Sequence, residues 1–125
     1  MDGFKIMIID DDPVIRELLY FNLTARGYEV ISCATGQKAL EMFTLEKPDL
    51  ILLDVMMPEM DGWEVLKILR DHYDSNDVKI LMLTAKSTER DKLIGKSILK
   101  ADEYVTKPFD LESLLKLIAE SLQQE

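Results

Sequence analysis

Five short apolar runs, at residues 5–9, 28–33, 50–53, 78–83 and 103–106, alternate with longer segments whose apolar residues recur at helical spacing. Runs of four to six residues rich in Ile, Leu and Val, without polar alternation, fit strands buried on both faces, and the segments between them fit amphipathic helices. In residues 14–26, Ile15, Leu18, Leu19, Asn22 and Leu23 share one helical face, and similar faces recur at 37–45, 63–70, 89–99 and 111–122. The order strand, helix, repeated five times, predicts an α/β chain of (βα)5 type: a doubly wound parallel sheet with helices on both sides. The punctuation agrees. Pro13, Pro48, Pro58 and Pro108 all fall at junctions, Gly27 follows a helix end, and Asp12 before Pro13 has the form of an N-cap with proline at the first helical position. Asp110 precedes the last helix in the same way.

No Gly, Ser or Pro-rich linker, repeat or low-complexity tract interrupts this pattern, so residues 1–125 read as one domain with a core over about 5–122. A chain of this length buries roughly two-thirds of its unfolded surface, and a hydrophobic content of 47% supplies the core without disulfides. Cys33 has no second cysteine to pair with, no apolar run approaches the ~20 residues of a membrane span, and the start MDGFK lacks a signal-peptide layout. A cytoplasmic domain without membrane contact is expected. Acidic residues number 24 against 15 basic ones, a net charge of −9. That balance argues against direct nucleic-acid binding, which needs a basic patch.

In such a sheet the working site lies at the carboxyl ends of the strands, and there the polar residues gather. Asp10, Asp11 and Asp12 follow the first strand, Asp54 the third, Thr84 the fourth and Lys107 the fifth. Carboxylates within ~4–6 Å raise one another's pKa, a cost that a bound cation offsets. Oxygen ligands with room for water suit Mg²⁺, which typically takes one or two protein carboxylates together with phosphate oxygens. A carboxylate beside such an ion can attack phosphorus and become an aspartyl phosphate, with Thr84 bonding one phosphoryl oxygen and Lys107 neutralising another. Any one of these residues could end a strand simply because loops are wet, and capping accounts fully for Asp12. Their conjunction is what points to chemistry.

That conjunction sits in four blocks: IMIIDDDPVIRELL at 6–19, DLILLDVMMPEMDGWEVL at 49–66, ILMLTA at 80–85 and ADEYVTKPF at 101–109. In this order they resemble the receiver domains of two-component response regulators, the CheY-like family, over about residues 5–122. The resemblance implies a flavodoxin-like, CheY-like fold with strand order 2-1-3-4-5. It implies Asp54 as phosphoacceptor, and Asp10, Asp11, Asp54 and the backbone carbonyl of Met56 as ligands of Mg²⁺ or Mn²⁺. It further implies Thr84 and Lys107 as phosphoryl partners, Tyr104 as the aromatic that changes rotamer with Thr84, and a cis Lys107–Pro108 bond. Met56 and Lys86, two positions after Asp54 and Thr84, would tune the lifetime of the phosphoryl group, a bulky Met56 hindering an attacking water. The implied activity is a signalling switch that catalyses only its own phosphoryl transfer and autodephosphorylation. A sensor histidine kinase or phosphotransfer protein would supply the phosphoryl group. The surface of the fourth helix, fifth strand and fifth helix would control a downstream output domain or protein, with a phosphorylation-dependent homodimer open as a further partner.

Other readings compete. Asp10 to Val14 also fits the D-x-D-x-[TV] opening of haloacid-dehalogenase-type phosphatases, with Asp10 as nucleophile and Asp12 as acid/base, but the chain has no cap domain and no later paired acidic motif. A flavodoxin-like cofactor carrier would need small hydroxyl and Gly residues in its first loop, where three Asp would repel a phosphate. A pure scaffold has no use for the complete polar set. Among single residues, Tyr104 taken alone reads as a half-buried strand aromatic, Trp63 as core or helix-edge packing and a fluorescent reporter, and His72 as a surface loop residue with no second metal ligand nearby. Cys33 reads as a small buried hydrophobe, and Met7, Met42 and Met82 as core filling.

One stretch departs from the family. GKSILKADEY has one more residue between Thr84 and Tyr104 than receivers usually carry, and it places Lys100 where they commonly put a left-handed Gly at the end of the fourth helix. The fourth helix or its exit is therefore expected to differ. The last helix also lacks the Arg-rich pattern of receivers that dimerise through inter-chain ion pairs, which argues against that dimer mode.

Overall fold

The computed structural model describes residues 3–85, 93 and 99–123. Its elements run β1 (Lys5–Ile9), α1 (Pro13–Ala25), β2 (Glu29–Cys33), α2 (Gly36–Glu46), β3 (Leu50–Asp54), α3 (Gly62–His72), β4 (Lys79–Thr84), β5 (Glu103–Thr106) and α4 (Leu111–Gln123). The five strands pair in parallel in the order β2-β1-β3-β4-β5. The helix expected at 89–99 falls almost wholly outside the described residues. No helix among the described residues is long and apolar enough to cross a membrane.

The central strands β1, β3 and β4 are buried almost throughout, which is why their sequences show no polar alternation. Successive side chains go to opposite faces. Met7, Ile9, Ile51, Leu53, Ile80 and Met82 meet Ala39 and Phe43 of α2 and Val65, Leu66 and Leu69 of α3. Ile6, Ile8, Leu50, Leu52, Leu81 and Leu83 meet Leu19 and Leu23 of α1 and Leu114, Leu115 and Ile118 of α4. Each fully buried Leu or Ile contributes roughly 2–3 kcal/mol. Two strands run one residue beyond their apolar runs: Asp54 pairs with Leu83 and Thr84 with Thr106, so both polar residues belong to the ladder.

The helix ends follow local chemistry. Asp12 Oδ1 accepts from the Val14 N–H at 2.9 Å with Pro13 in the first turn, and Gly27 follows α1 at φ +94°. Asp61 and Glu64 form a reciprocal capping box at the start of α3. His72, expected in a loop, is instead the last residue of α3; the Tyr73 N–H on Leu69 O carries the helix that far, where a basic side chain suits the helix dipole. Leu18 differs too. The arc of α1 that meets the sheet centres on Leu19 and Leu23, so Leu18 turns outward with Val14 and Phe21 to make an exposed stripe at i, i+4 and i+7.

Of the departure expected around Lys100, the helix itself falls almost wholly outside the described residues, and Lys100 is described. Lys100 itself adopts the left-handed conformation, at φ +66°, so the exit keeps the backbone a glycine would give and a side-chain-bearing residue carries a strain of roughly 1 kcal/mol. Arg70 offsets it. This arginine, whose side chain is only 6% exposed, donates through Nε to Lys100 O at 2.8 Å and through Nη1 to Val78 O at 2.8 Å. Its Nη2 lies 2.6 Å from Asp102 Oδ2, which also accepts the Ile80 N–H at 2.7 Å, and Ser75 Oγ donates to Asp102 Oδ1. Removing one partner of a buried ion pair strands the other. Asp102→Ala should therefore destabilise the protein by about 3 kcal/mol or more, read as a fall in urea midpoint at unchanged slope, whereas Lys67→Ala in the exposed Lys67–Asp71 pair should change little.

Candidate functional site

Register builds the site. Ile9 pairs with Leu53, so the next residues of the two strands, Asp10 and Asp54, emerge side by side at the carboxyl edge of the sheet. Both are buried, at 1% and 5% exposure. Asp10 Oδ1 accepts the Asp12 N–H at 2.9 Å, and Asp10 Oδ2 lies 2.7 Å from Lys107 Nζ. The same ammonium is 3.7 Å from Asp54 Oδ1, which also accepts the Met56 N–H at 3.3 Å. Lys107 is carried in from the edge strand with its own N–H on Thr84 O at 2.8 Å, and the Lys107–Pro108 bond is cis. Thr84 is fully buried at the end of β4.

The loop after Asp54 folds back on itself. Gly62 donates to Val55 O at 2.8 Å, and a Cβ at Gly62 would stand 2.2 Å from Asp54 O. Only glycine lets the first turn of α3 sit against the main chain that carries Asp54. One residue on, the Trp63 ring stacks on Tyr104 of β5, with centroids 5.9 Å apart and planes inclined by 28°.

Carboxylate oxygens of Asp10, Asp11 and Asp54 converge to within 4.8 Å of one another, three acids against one ammonium, that of Lys107, among the described residues. The Asp54 carboxyl is pushed up to about 6, first by burial and then by the Asp10 charge, while Lys107 and the Met56 N–H pull the other way. An all-oxygen donor set with surplus negative charge fits a hard divalent cation such as Mg²⁺ better than a thiophilic or imidazole-seeking metal.

The sequence model of the response regulator receiver domain matches residues 6–119. The chain belongs to this receiver family. Among solved structures, the receiver is similar to the response regulator TrrA of Thermotoga maritima, solved in complex with Mg²⁺-BeF, at 38% identity over 96% of this chain and 100% of that one, TM-score 0.83. It is similar to the chemotaxis protein CheY4 of Vibrio cholerae at 36% identity, covering 95% and 98% of the two chains, TM-score 0.86. The receiver domain of the Francisella response regulator 1452 matches at 27% identity over 98% of each chain, TM-score 0.89.

Within this receiver, Asp10, Asp11, Asp54 and Lys107 form one cluster, and Thr84 adjoins it through the main chain of Lys107. Met56 is exposed beside it. Tyr104 lies three residues before Lys107, on β5 opposite Met82. Asp12 caps α1, and Lys86 lies outside the described residues. Arg16 has no motif signal, yet its Nη1 donates to the Asp10 carbonyl oxygen at 2.7 Å. Its only trace in the sequence is a cation one turn into the helix that follows the acidic triplet.

The raised Asp54 pKa has a signed consequence. A folded-state pKa above the unfolded one favours the neutral carboxyl, so its contribution to stability is full below about pH 4 and is lost as pH rises through about 6. Metal-free Asp54→Asn should therefore exceed wild type in stability at pH 7 by on the order of 1–3 kcal/mol. That gap should close below about pH 4, and Mg²⁺ should narrow or reverse it by binding the folded wild type; urea unfolding at stepped pH, with and without MgCl₂, measures both effects.

Proposed function

We propose that this receiver is the phosphoacceptor switch of a two-component phosphorelay: a phosphohistidine of a sensor histidine kinase or phosphotransfer protein gives its phosphoryl group to Asp54 in a step that needs Mg²⁺ or Mn²⁺. The observation that carries this reading is a buried carboxylate, Asp54, held at a sheet mouth between an acidic pair and an ammonium. Asp54 Oδ attacks phosphorus, the P–N bond to the donor imidazole breaks, and the aspartyl phosphate remains. Asp10, Asp11, Asp54 and the Met56 carbonyl would hold the cation, which when bound offsets the charge of the acids and of the incoming phosphoryl oxygens.

Lys107, now shared between Asp10 and Asp54, needs only a short shift to meet a phosphoryl oxygen, and the Thr84 hydroxyl would take another. Each charge-assisted bond is worth about 1.5–3 kcal/mol. Two or three of them approach the ~5.5 kcal/mol that moves a two-state equilibrium from 1:99 to 99:1. Thr84 and Lys107 share a main-chain bond, and Tyr104 stands three residues before Lys107, so the charge at Asp54 has a short path to β5. The surface formed by β5, α4 and the segment expected to form the fourth helix would carry the output to a downstream domain or protein. Met56 would shield the acyl phosphate from water, and Lys86 would join it in setting the autodephosphorylation rate.

A macromolecular donor fits the surroundings of the mouth. The exposed Val14, Leu18 and Phe21 run down α1 from the site, next to an open depression of about 360 Å³ lined by Pro13, Val14, Arg16, Glu17, Tyr20 and Ser32. Against the alternative phosphatase reading, Asp12 serves as the N-cap of α1, with its Oδ1 accepting the Val14 N–H.

Incubated with a small-molecule phosphodonor and MgCl₂, the wild type should take up one phosphoryl group that base and hydroxylamine release. Asp54→Asn and added EDTA should each abolish the uptake; labelling of Asp54→Asn, or mapping of the group to Asp10, would overturn the assignment. With a phosphorylated histidine phosphotransfer domain as donor, Leu18→Glu combined with Phe21→Glu should slow transfer by about tenfold, equivalent to about 1.4 kcal/mol of docking energy, while labelling by the small donor stays at the wild-type rate.

A further inference from the structure

We infer that Arg16 is a positioning residue for the cation site: its guanidinium fixes the peptide between Asp10 and Asp11, and so sets where the Asp11 carboxylate points. The inference rests on reading Asp10, Asp11 and Asp54 as a divalent-cation site. Arg16 Nη1 reaches back over the start of α1 to the Asp10 carbonyl oxygen at 2.7 Å. That carbonyl belongs to the one peptide unit joining the two acids. Rotation of this unit changes ψ of Asp10 and φ of Asp11 together, and a small rotation there swings the Asp11 carboxylate.

The Asp10 side chain is already held at both oxygens, by the Asp12 N–H at 2.9 Å and by Lys107 at 2.7 Å. Asp11 is different. It is exposed, its oxygen still falls within 4.8 Å of those of Asp10 and Asp54, and its placement therefore depends on the main chain that carries it. Arg16 is half-buried and spends a charged donor on a neutral carbonyl close to a site that must attract a cation. Toward a bound cation the guanidinium is repulsive, because like charges repel. Its geometric contribution and its charge thus act on cation affinity with opposite signs, and this makes the role measurable.

The test is calorimetric titration of the metal-free protein with MgCl₂, comparing wild type, Arg16→Gln and Arg16→Lys, alongside thermal melts and near-UV circular dichroism in EDTA. If Arg16 positions the acids, Arg16→Gln should bind Mg²⁺ about tenfold more weakly, the usual scale for outer-shell partners of metal ligands, although a nearby positive charge has been removed. Arg16→Lys, whose single ammonium keeps the charge and can reach one carbonyl, should fall between the two, with all three metal-free spectra alike. Equal or tighter Mg²⁺ binding by Arg16→Gln overturns the inference and leaves Arg16 as a through-space charge. Loss of the metal-free near-UV signal in Arg16→Gln also overturns it, by making Arg16 a residue of the fold. Absence of Mg²⁺ binding by the wild type, or binding that Asp10→Asn leaves intact, instead overturns the reading of the acidic cluster and takes this inference with it.

Discussion

Asp54 is buried beside Asp10, and the charged forms of both disfavour that arrangement. The fold has to hold two acids together against their repulsion until a cation or an ammonium compensates it. It does so with its most rigid parts. β1 and β3 are adjacent central strands, Ile9 opposite Leu53 fixes their ends, and the layers on both faces leave neither strand room to slide. Lys107 arrives from the other side of the sheet, on a main chain bonded to Thr84. Gly62 lets α3 begin directly against the Asp54 peptide. The strain is electrostatic, and the backbone that bears it is well packed.

This arrangement makes the site incomplete by design of its charges. The Lys107 ammonium cannot by itself satisfy three carboxylates, and it sits nearer Asp10 than Asp54, at 2.7 against 3.7 Å. A bound cation would change that balance in one direction, and the proposed phosphoryl group on Asp54 would change it again by adding negative charge on the side where Lys107 is less engaged. The elements that hold the site also connect it to the rest of the molecule. From its seat on Asp54, α3 presents Trp63 to Tyr104 and, two turns later, Arg70 to Lys100 and Asp102. One helix therefore joins the loop after Asp54 to both the start and the middle of the edge strand.

Much of this was legible in the sequence for a physical reason: a strand buried on both faces must be apolar throughout, and polar residues then stand out at its end. That logic locates β1, β3 and β4 and brings Asp10, Asp54 and Thr84 to one edge. It fails where tertiary contacts choose between local options. The periodicity of α1 allows Leu18 either a core or a surface position, and only the narrow arc centred on Leu19 and Leu23 decides. Charged residues look like surface in a sequence, so nothing marks Arg70 and Asp102 as a buried pair, or Arg16 as a ligand of a carbonyl six residues back. Lys100 shows the limit from the other side, since nothing in the sequence says that the strained left-handed residue is supported by Arg70.

That support bears on the site at the far end of the same strand. β5 has four residues and pairs on one side only, with β4, so its ladder alone is a weak guarantee of register. It is fastened beyond both ends instead. At the start, the Asp102 N–H bonds Ile80 O while the Asp102 carboxylate takes the Ile80 N–H and the Arg70 guanidinium. At the finish, the Lys107 N–H bonds Thr84 O. A slip by one residue would invert every side chain on β5 and carry the Lys107 ammonium away from Asp10 and Asp54. The Arg70–Asp102 ion pair at the opposite edge of the sheet thus helps to aim the Lys107 ammonium at the acidic site, although the two lie at opposite ends of a strand.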